Sequence, residues 1–123
     1  MATVLVCDDQ PALRELVRAA LADGDYEIVE ARDADESLRL AREVRPAVVI
    51  LDLVLPDRSG LDVLADLRRD PALAEARVVL CSAGMKSVGR GVVSSFAADR
   101  YLQKPFSPAE LASVVDDLLK GGP

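Results

Sequence analysis

The sequence predicts an α/β fold in which helices cover both faces of a five-stranded parallel sheet. Strand and helix signals alternate five times along the chain, which is the pattern of a doubly wound sheet. The strand signals are short, continuous runs of apolar and β-branched residues, as expected for strands buried on both faces. Four of these runs end abruptly in polar residues, at the sheet edge where ligands bind in open α/β folds.

The predicted strands bring a chemically coherent set of side chains together. The strands cover residues 4–7, 26–31, 48–51, 78–81 and 101–103. The run at 26–31 alternates in character, which favours a position near a sheet edge. The polar residues at the ends of the other four runs are Asp8 with Asp9, Asp52, Ser82 and Lys104. Because the carboxyl ends of parallel strands share one edge, we expect these side chains to converge.

The first three helices are predicted from apolar stripes and from residues that start or stop a helix. The stripe of the first helix consists of Leu13, Leu16, Val17, Ala20 and Leu21. Asp33, with Glu36 three residues later, predicts the start of the second helix, and Pro46 forbids its continuation. Ser59 is the predicted N-cap of the third helix, which should stop before Pro71.

The last helix carries the clearest boundary signals of the chain. Ser107 is its predicted N-cap, Pro108 takes the first helical position, and Glu110 completes a capping box. The fourth helix is placed within 86–97, where two glycines each lower helix propensity by about 1 kcal/mol relative to Ala. We therefore expect a short or mobile element there.

Length and charge limit the classes of function. A chain of 123 residues predicts one domain, over 1–120, with 121–123 as a tail or the start of a linker. The net charge of −6 without a basic cluster argues against nucleic-acid binding and favours a protein partner. No apolar stretch is long enough for a membrane span, and the N-terminal run reaches Asp8 too soon for a signal peptide. We expect a cytoplasmic domain that binds no membrane.

The content of sulfur and imidazole side chains narrows the chemistry further. Cys7 and Cys81 each lie in an apolar strand and are predicted to be small buried hydrophobes. The chain contains no His, which excludes His-based metal sites, triads and general bases. Carboxylates, one hydroxyl and one ammonium remain as the reactive groups at the predicted sheet edge.

Taken together, these residues resemble the receiver domain of two-component response regulators, the family that includes the chemotaxis regulator. The resemblance spans the whole chain. It rests on four motifs, namely Asp8-Asp9, Asp52-Leu53-Val54-Leu55-Pro56 with Gly60, Ser82-Ala83, and Tyr101-x-x-Lys104-Pro105-Phe106. It implies a strand order of 2-1-3-4-5 with five helices and right-handed crossovers, and a function in phosphorelay signal transduction.

The resemblance also implies a magnesium site. Three carboxylates at one edge repel one another, and a hard divalent cation with oxygen ligands removes this repulsion. By resemblance, Asp9 and Asp52 bind Mg²⁺ together with the backbone carbonyl of Val54, with Mn²⁺ as an alternative cation. Asp8 would bind directly or through a water molecule.

Asp52 is the phosphoacceptor that the resemblance implies. Its carboxylate would attack a phosphoryl group on the histidine of a sensor histidine kinase or phosphotransfer domain. Lys104 would balance charge, and the Ser82 hydroxyl and the backbone N–H of Ala83 would donate hydrogen bonds to phosphoryl oxygens. The Lys104–Pro105 bond is expected to be cis. Tyr101 would turn inward as Ser82 moves, and so change a face formed by the fourth helix, fifth strand and last helix, where a downstream protein would bind.

This reading describes a phosphoacceptor that assists its own phosphorylation and slow autodephosphorylation, not a conventional enzyme. The main alternative is a phosphorylation-independent interaction module with the same fold, which would not respond to Mg²⁺ or a phosphodonor. An FMN protein is disfavoured because the acidic loop at 8–11 would repel a phosphate. An aspartate-nucleophile phosphatase usually has a second Asp where Val54 stands.

Overall fold

The computed structural model describes residues 1–83 and 98–120. Five parallel strands form one sheet in the order β2-β1-β3-β4-β5. They are β1 (Ala2–Cys7), β2 (Tyr26–Ala31), β3 (Val48–Asp52), β4 (Arg77–Ser82) and β5 (Arg100–Gln103). The helices within the described residues are α1 (Pro11–Ala20), α2 (Ala34–Val44), α3 (Gly60–Arg69) and α4 (Pro108–Leu119). The predicted fold class and strand order are confirmed, whereas the helix predicted within 86–97 and the tail at 121–123 lie outside the described residues.

Burial along the strands follows their place in the sheet. The central strand β3 is buried at all five positions, whereas none of the four residues of the edge strand β5 is fully buried. Alternate β3 side chains pack on opposite faces of the sheet. Val49 and Leu51 join a core cluster with residues of α2 and α3, and Val48 and Ile50 join a second cluster with residues of α1 and α4. Two apolar layers therefore hold the carboxyl ends of the central strands in place.

The predicted helix starts are present. Asp33 accepts a hydrogen bond from the first turn of α2, and Ser59 does so for α3. Ser107 and Glu110 form the reciprocal capping box of α4. Each cap satisfies backbone N–H groups that have no partner within the helix. These local interactions fix where each helix begins relative to the strand before it.

The two cysteines are buried free thiols, as predicted. They lie on β1 and β4, and β3 runs between those strands. Burial raises the pKa of both thiols to about 12, so Cys7 and Cys81 act as small hydrophobes. Among the helices of the described residues, none has the length and apolar character needed to span a membrane.

Candidate metal centre

Three carboxylates converge at the carboxyl edge of the two central strands. Asp8 and Asp9 follow β1, Asp52 ends the neighbouring strand β3, and one carboxylate oxygen from each lies within 4.8 Å of the others. Asp8 is fully buried, Asp52 retains 8% of its exposure, and Asp9 is exposed. The cluster is therefore anchored in the core and open to solvent on one side.

Lys104 supplies positive charge to this cluster. Its ammonium nitrogen lies 2.7 Å from Asp8 Oδ2 and 3.4 Å from Asp52 Oδ2. The backbone N–H of Lys104 donates to the carbonyl of Ser82 at 3.0 Å, which ties the end of β5 to the end of β4. The peptide bond between Lys104 and Pro105 is cis, the isomer that the family resemblance implies. One ammonium thus contacts two of the three clustered carboxylates.

Burial and neighbouring charges shift the pKa of two of these groups. Burial raises the pKa of Asp52 above its ordinary value, and the Asp8 charge adds to the rise, although Lys104 opposes it. Burial alone would lower the pKa of Lys104, but the hydrogen bond from Lys104 to Asp8 and the charge of Asp52 outweigh it and raise the pKa. With the ammonium charged and negative charge in excess, the donor set fits a hard divalent cation such as Mg²⁺.

Charged and backbone contacts hold the loop that carries Asp8. Oδ1 of Asp8 accepts a hydrogen bond from the Gln10 N–H at 2.9 Å. Arg14 of α1 donates to the Asp8 carbonyl at 2.8 Å and to Glu30 of β2 at 2.9 Å. Arg14 was missed by the sequence analysis, because an arginine on the polar side of an amphipathic helix looks like a solvated charge.

Close backbone packing holds the loop that follows Asp52. The Gly60 N–H donates to the Leu53 carbonyl at 2.7 Å, and the Leu53 N–H donates to the Cys81 carbonyl at 2.8 Å. A Cβ at position 60 would overlap the backbone carbonyl oxygen of Asp52 and lie 3.0 Å from its carbonyl carbon. The glycine in the motif is needed here because the chain passes directly over the backbone of Asp52.

Three of the other predicted site residues, Ser82, Ala83 and Val54, line one cavity with Asp9 and Asp52, whereas Tyr101 does not. Ser82 is buried at the end of β4 and Ala83 is exposed beside it, whereas Val54 is 69% exposed. Tyr101 packs partly buried against the core cluster on the α2 and α3 side of the sheet. An open cavity of about 910 Å³ adjoins the carboxylates, with an apolar wall that includes Leu13 and Phe106.

Comparison with known proteins identifies the family. The sequence profile of the response regulator receiver domain matches residues 4–116. This chain is a response regulator receiver domain. It belongs to the family whose members serve two-component signal transduction.

Relatives and solved structures agree with this assignment. The receiver domain is 41% identical over 119 residues to the probable transcriptional regulatory protein TcrX of Mycobacterium tuberculosis, covering 96% of this chain and 50% of TcrX. The chain thus spans about half the length of the curated relatives it matches. The chemotaxis protein CheY4 of Vibrio cholerae has the same fold, with a TM-score of 0.88 and 26% identity over 96% of this chain and 98% of that one. The receiver domain of the Francisella response regulator 1452 gives a TM-score of 0.88 and 27% identity, covering 98% of each chain.

Proposed function

We propose that this receiver domain accepts a phosphoryl group on Asp52 from the phosphohistidine of a sensor histidine kinase or a phosphotransfer domain. The observation that carries this proposal is the position of the Asp52 carboxylate between Asp8, Asp9 and the Lys104 ammonium. A carboxylate held among metal-binding oxygens and one cation has the surroundings that phosphoryl transfer requires, namely alignment and charge neutralisation. Asp52 keeps a solvent-accessible fraction, so a donor has access to it.

The transfer exchanges one bond to phosphorus for another. An oxygen of Asp52 forms the new bond, the bond from phosphorus to the donor's imidazole nitrogen breaks, and the imidazole keeps the electron pair. Lys104 binds a phosphoryl oxygen through its ammonium. The Ser82 hydroxyl and the Ala83 N–H donate hydrogen bonds to the other oxygens. Water would reverse the modification slowly at the same site, which makes the signal transient.

Mg²⁺ is the proposed metal of this site, with Mn²⁺ as an alternative. Asp9, Asp52 and the backbone carbonyl of Val54 would hold the ion, and Asp8 would bind it directly or through water. The exposed position of Val54 and the clustering of the carboxylates support this set. When bound, the ion would supply positive charge in addition to that of Lys104.

The output would be a shift in packing near β5. Ser82 and Tyr101 lie on adjacent strands, β4 and β5, so a move of Ser82 toward the phosphoryl group would favour an inward Tyr101. A downstream protein would bind the face formed by the predicted fourth helix, β5 and α4.

We assign the receiver unit to 1–120 and the rest to a tail or linker. Because the proposed kinase draws on ATP, we place the domain in the cytoplasm.

Labelling with acetyl phosphate tests the proposal. We expect the wild type to gain one phosphoryl group only when Mg²⁺ is present, in a linkage that is stable to acid and labile to base. Asp52→Asn should abolish the labelling, since an amide is not a nucleophile of this kind. Intact-protein mass spectrometry measures the gain directly.

Asp62→Asn is the matched control, because Asp62 is an exposed carboxylate on α3. It should label as the wild type does. Labelling that persists in Asp52→Asn, or that needs no divalent cation, would contradict the proposal. A chain that binds a partner equally well with and without Mg²⁺ and phosphodonor would instead be the interaction module considered above.

A further inference from the structure

We infer that Asp57 is a positioning residue for the metal centre, a role that rests on the proposed function. Asp57 lies in the loop from Asp52 to Gly60, yet its carboxylate reaches another element. Oδ1 accepts a hydrogen bond from the Ala34 N–H at 2.7 Å, and Oδ2 accepts one from the Asp35 N–H at 3.0 Å. The loop that follows the phosphoacceptor is thereby fastened to the first turn of α2.

Both bonds satisfy N–H groups of helix α2 that have no acceptor within the helix. Its own cap, Asp33, satisfies the Glu36 N–H at 2.8 Å. Asp57 satisfies the two positions before it from a residue more than 20 positions away in sequence. A carboxylate at this end of the helix is also favoured by the helix dipole. The backbone hydrogen bonds to Asp57 hold its pKa below the ordinary value, so it is ionised at neutral pH.

Asp57 affects the metal centre because it is the second of two places at which the loop after β3 is held. The base of the loop is fixed by the contact of Gly60 with Asp52 and by a bridge between Val54 and Ser59. Asp57 fixes the far end of the loop. Val54, whose carbonyl is a proposed metal ligand, lies between Asp52 and this second anchor, so its orientation depends on both.

The same contact links the two acidic loops of the site. Helix α2 begins directly after β2, and the Ala31 carbonyl at the end of β2 accepts a hydrogen bond from the Asp8 N–H at 3.0 Å. Asp57 therefore connects the loop after β3 to the start of α2, and β2 connects that start to the loop of Asp8. Removing Asp57 should loosen the spacing between Val54 and the carboxylates that bind the same ion.

Mg²⁺ affinity of matched variants tests this role. We expect Asp57→Ala to weaken Mg²⁺ binding by about tenfold, the lower end of the effect of removing a group that orients metal ligands. Asp33→Ala is the control, since it removes a cap from the same helix without touching the loop after β3. It should lower the melting temperature comparably while changing Mg²⁺ affinity less than about twofold. Calorimetric titration with Mg²⁺ alone measures the Mg²⁺ affinity of both variants, and no phosphodonor is required. Melting curves measure their stability.

Amide exchange gives an independent readout. Because coupling is reciprocal, Mg²⁺ should slow exchange at the Ala34 and Asp35 amides in the wild type and leave it unchanged in Asp57→Ala. Asp57→Asn retains one acceptor oxygen and should lose less affinity than Asp57→Ala, and it replaces the alanine variant if that one does not fold. Equal Mg²⁺ affinity in the wild type and Asp57→Ala would overturn the role of Asp57 but not the proposed metal site. A wild type that binds no Mg²⁺ would overturn the proposed metal site as well.

Discussion

The two loops that carry the carboxylates are held in place by different forces. The loop after β1 depends on charges, since Lys104 contacts the Asp8 carboxylate and Arg14 the Asp8 carbonyl. The base of the loop after β3 depends on backbone fit, because Gly60 packs directly over the backbone of Asp52. Electrostatic contacts weaken with a change of charge, whereas close packing fails with a change of volume. We therefore expect the loop after β1 to be sensitive to substitutions that change charge, and the loop after β3 to be sensitive to substitutions that change volume.

The largest effect is expected when the charge that holds the first loop is removed. Lys104→Met leaves the fully buried Asp8 without its cation, and breaking one partner of a buried pair costs about 3–5 kcal/mol of unfolding free energy. Lys120→Met is the control, because Lys120 pairs with Asp116 at the surface, where solvent screening leaves an ion pair little effect on stability. Urea unfolding without Mg²⁺ compares them. Equal losses would show that the buried pair contributes no more than the exposed one.

A volume change in the second loop should come next. Gly60→Ala forces a methyl group into the Asp52 backbone carbonyl, and overpacking of this kind costs about 1–3 kcal/mol. Phosphorylation by acetyl phosphate should also fall, because the acceptor must shift. At Gly24, the three atoms nearest to a new Cβ all belong to the Tyr26 ring, at the start of β2. That end of the strands lies opposite the carboxylates, so Gly24→Ala should leave phosphorylation unchanged. If both variants label alike, the close approach at Gly60 does not position the acceptor.

Substitutions of Arg14 and Arg18 compare an arginine that contacts the site with one that contacts only other parts of the protein. Both donate to Glu30, but only Arg14 donates to the Asp8 carbonyl. Arg14→Ala should lower the unfolding free energy by about 1.5–3 kcal/mol, as for loss of a charged hydrogen bond, and should also weaken Mg²⁺ binding. Arg18→Ala should cost about 0–1 kcal/mol and leave Mg²⁺ binding intact. Mg²⁺ binding that is unchanged in Arg14→Ala would show that the first loop does not need this contact.

The smallest expected effect is a gain in stability, whereas the other variants lose stability. Burial raises the pKa of Asp52 in the folded state, so its contribution to stability is full below the unfolded-state pKa and is lost as pH rises through the folded-state pKa. Without metal, Asp52→Asn should therefore melt at a higher temperature than the wild type at neutral pH, and the difference should shrink in acid. Melting curves in a chelator from pH 3 to 8 measure this difference. A difference that grows toward low pH would reverse the assigned shift.

Much of the site followed from local patterns. The strands, the caps at Asp33, Ser59 and Ser107, and the polar strand ends could be predicted, because side-chain period and capping chemistry act over a few residues. The gathering of Asp8, Asp9 and Asp52 then follows from parallel strands sharing an edge. The role of Lys104 came from the resemblance to receiver domains, since its partner Asp8 lies 96 positions away.

The chain by itself determined which elements form and which chemistry stands at the sheet edge, because those depend on residue type and short spacing. Only the tertiary structure decided which groups hold the edge in place. Arg14 and Asp57 look like ordinary surface charges in the sequence. The resemblance marks Gly60 as a motif residue, but it does not give the backbone contact that requires a glycine there. The partners of these three residues lie on other elements or on backbone that passes within contact distance. Such contacts have no sequence period, because they arise where separately formed elements are packed together.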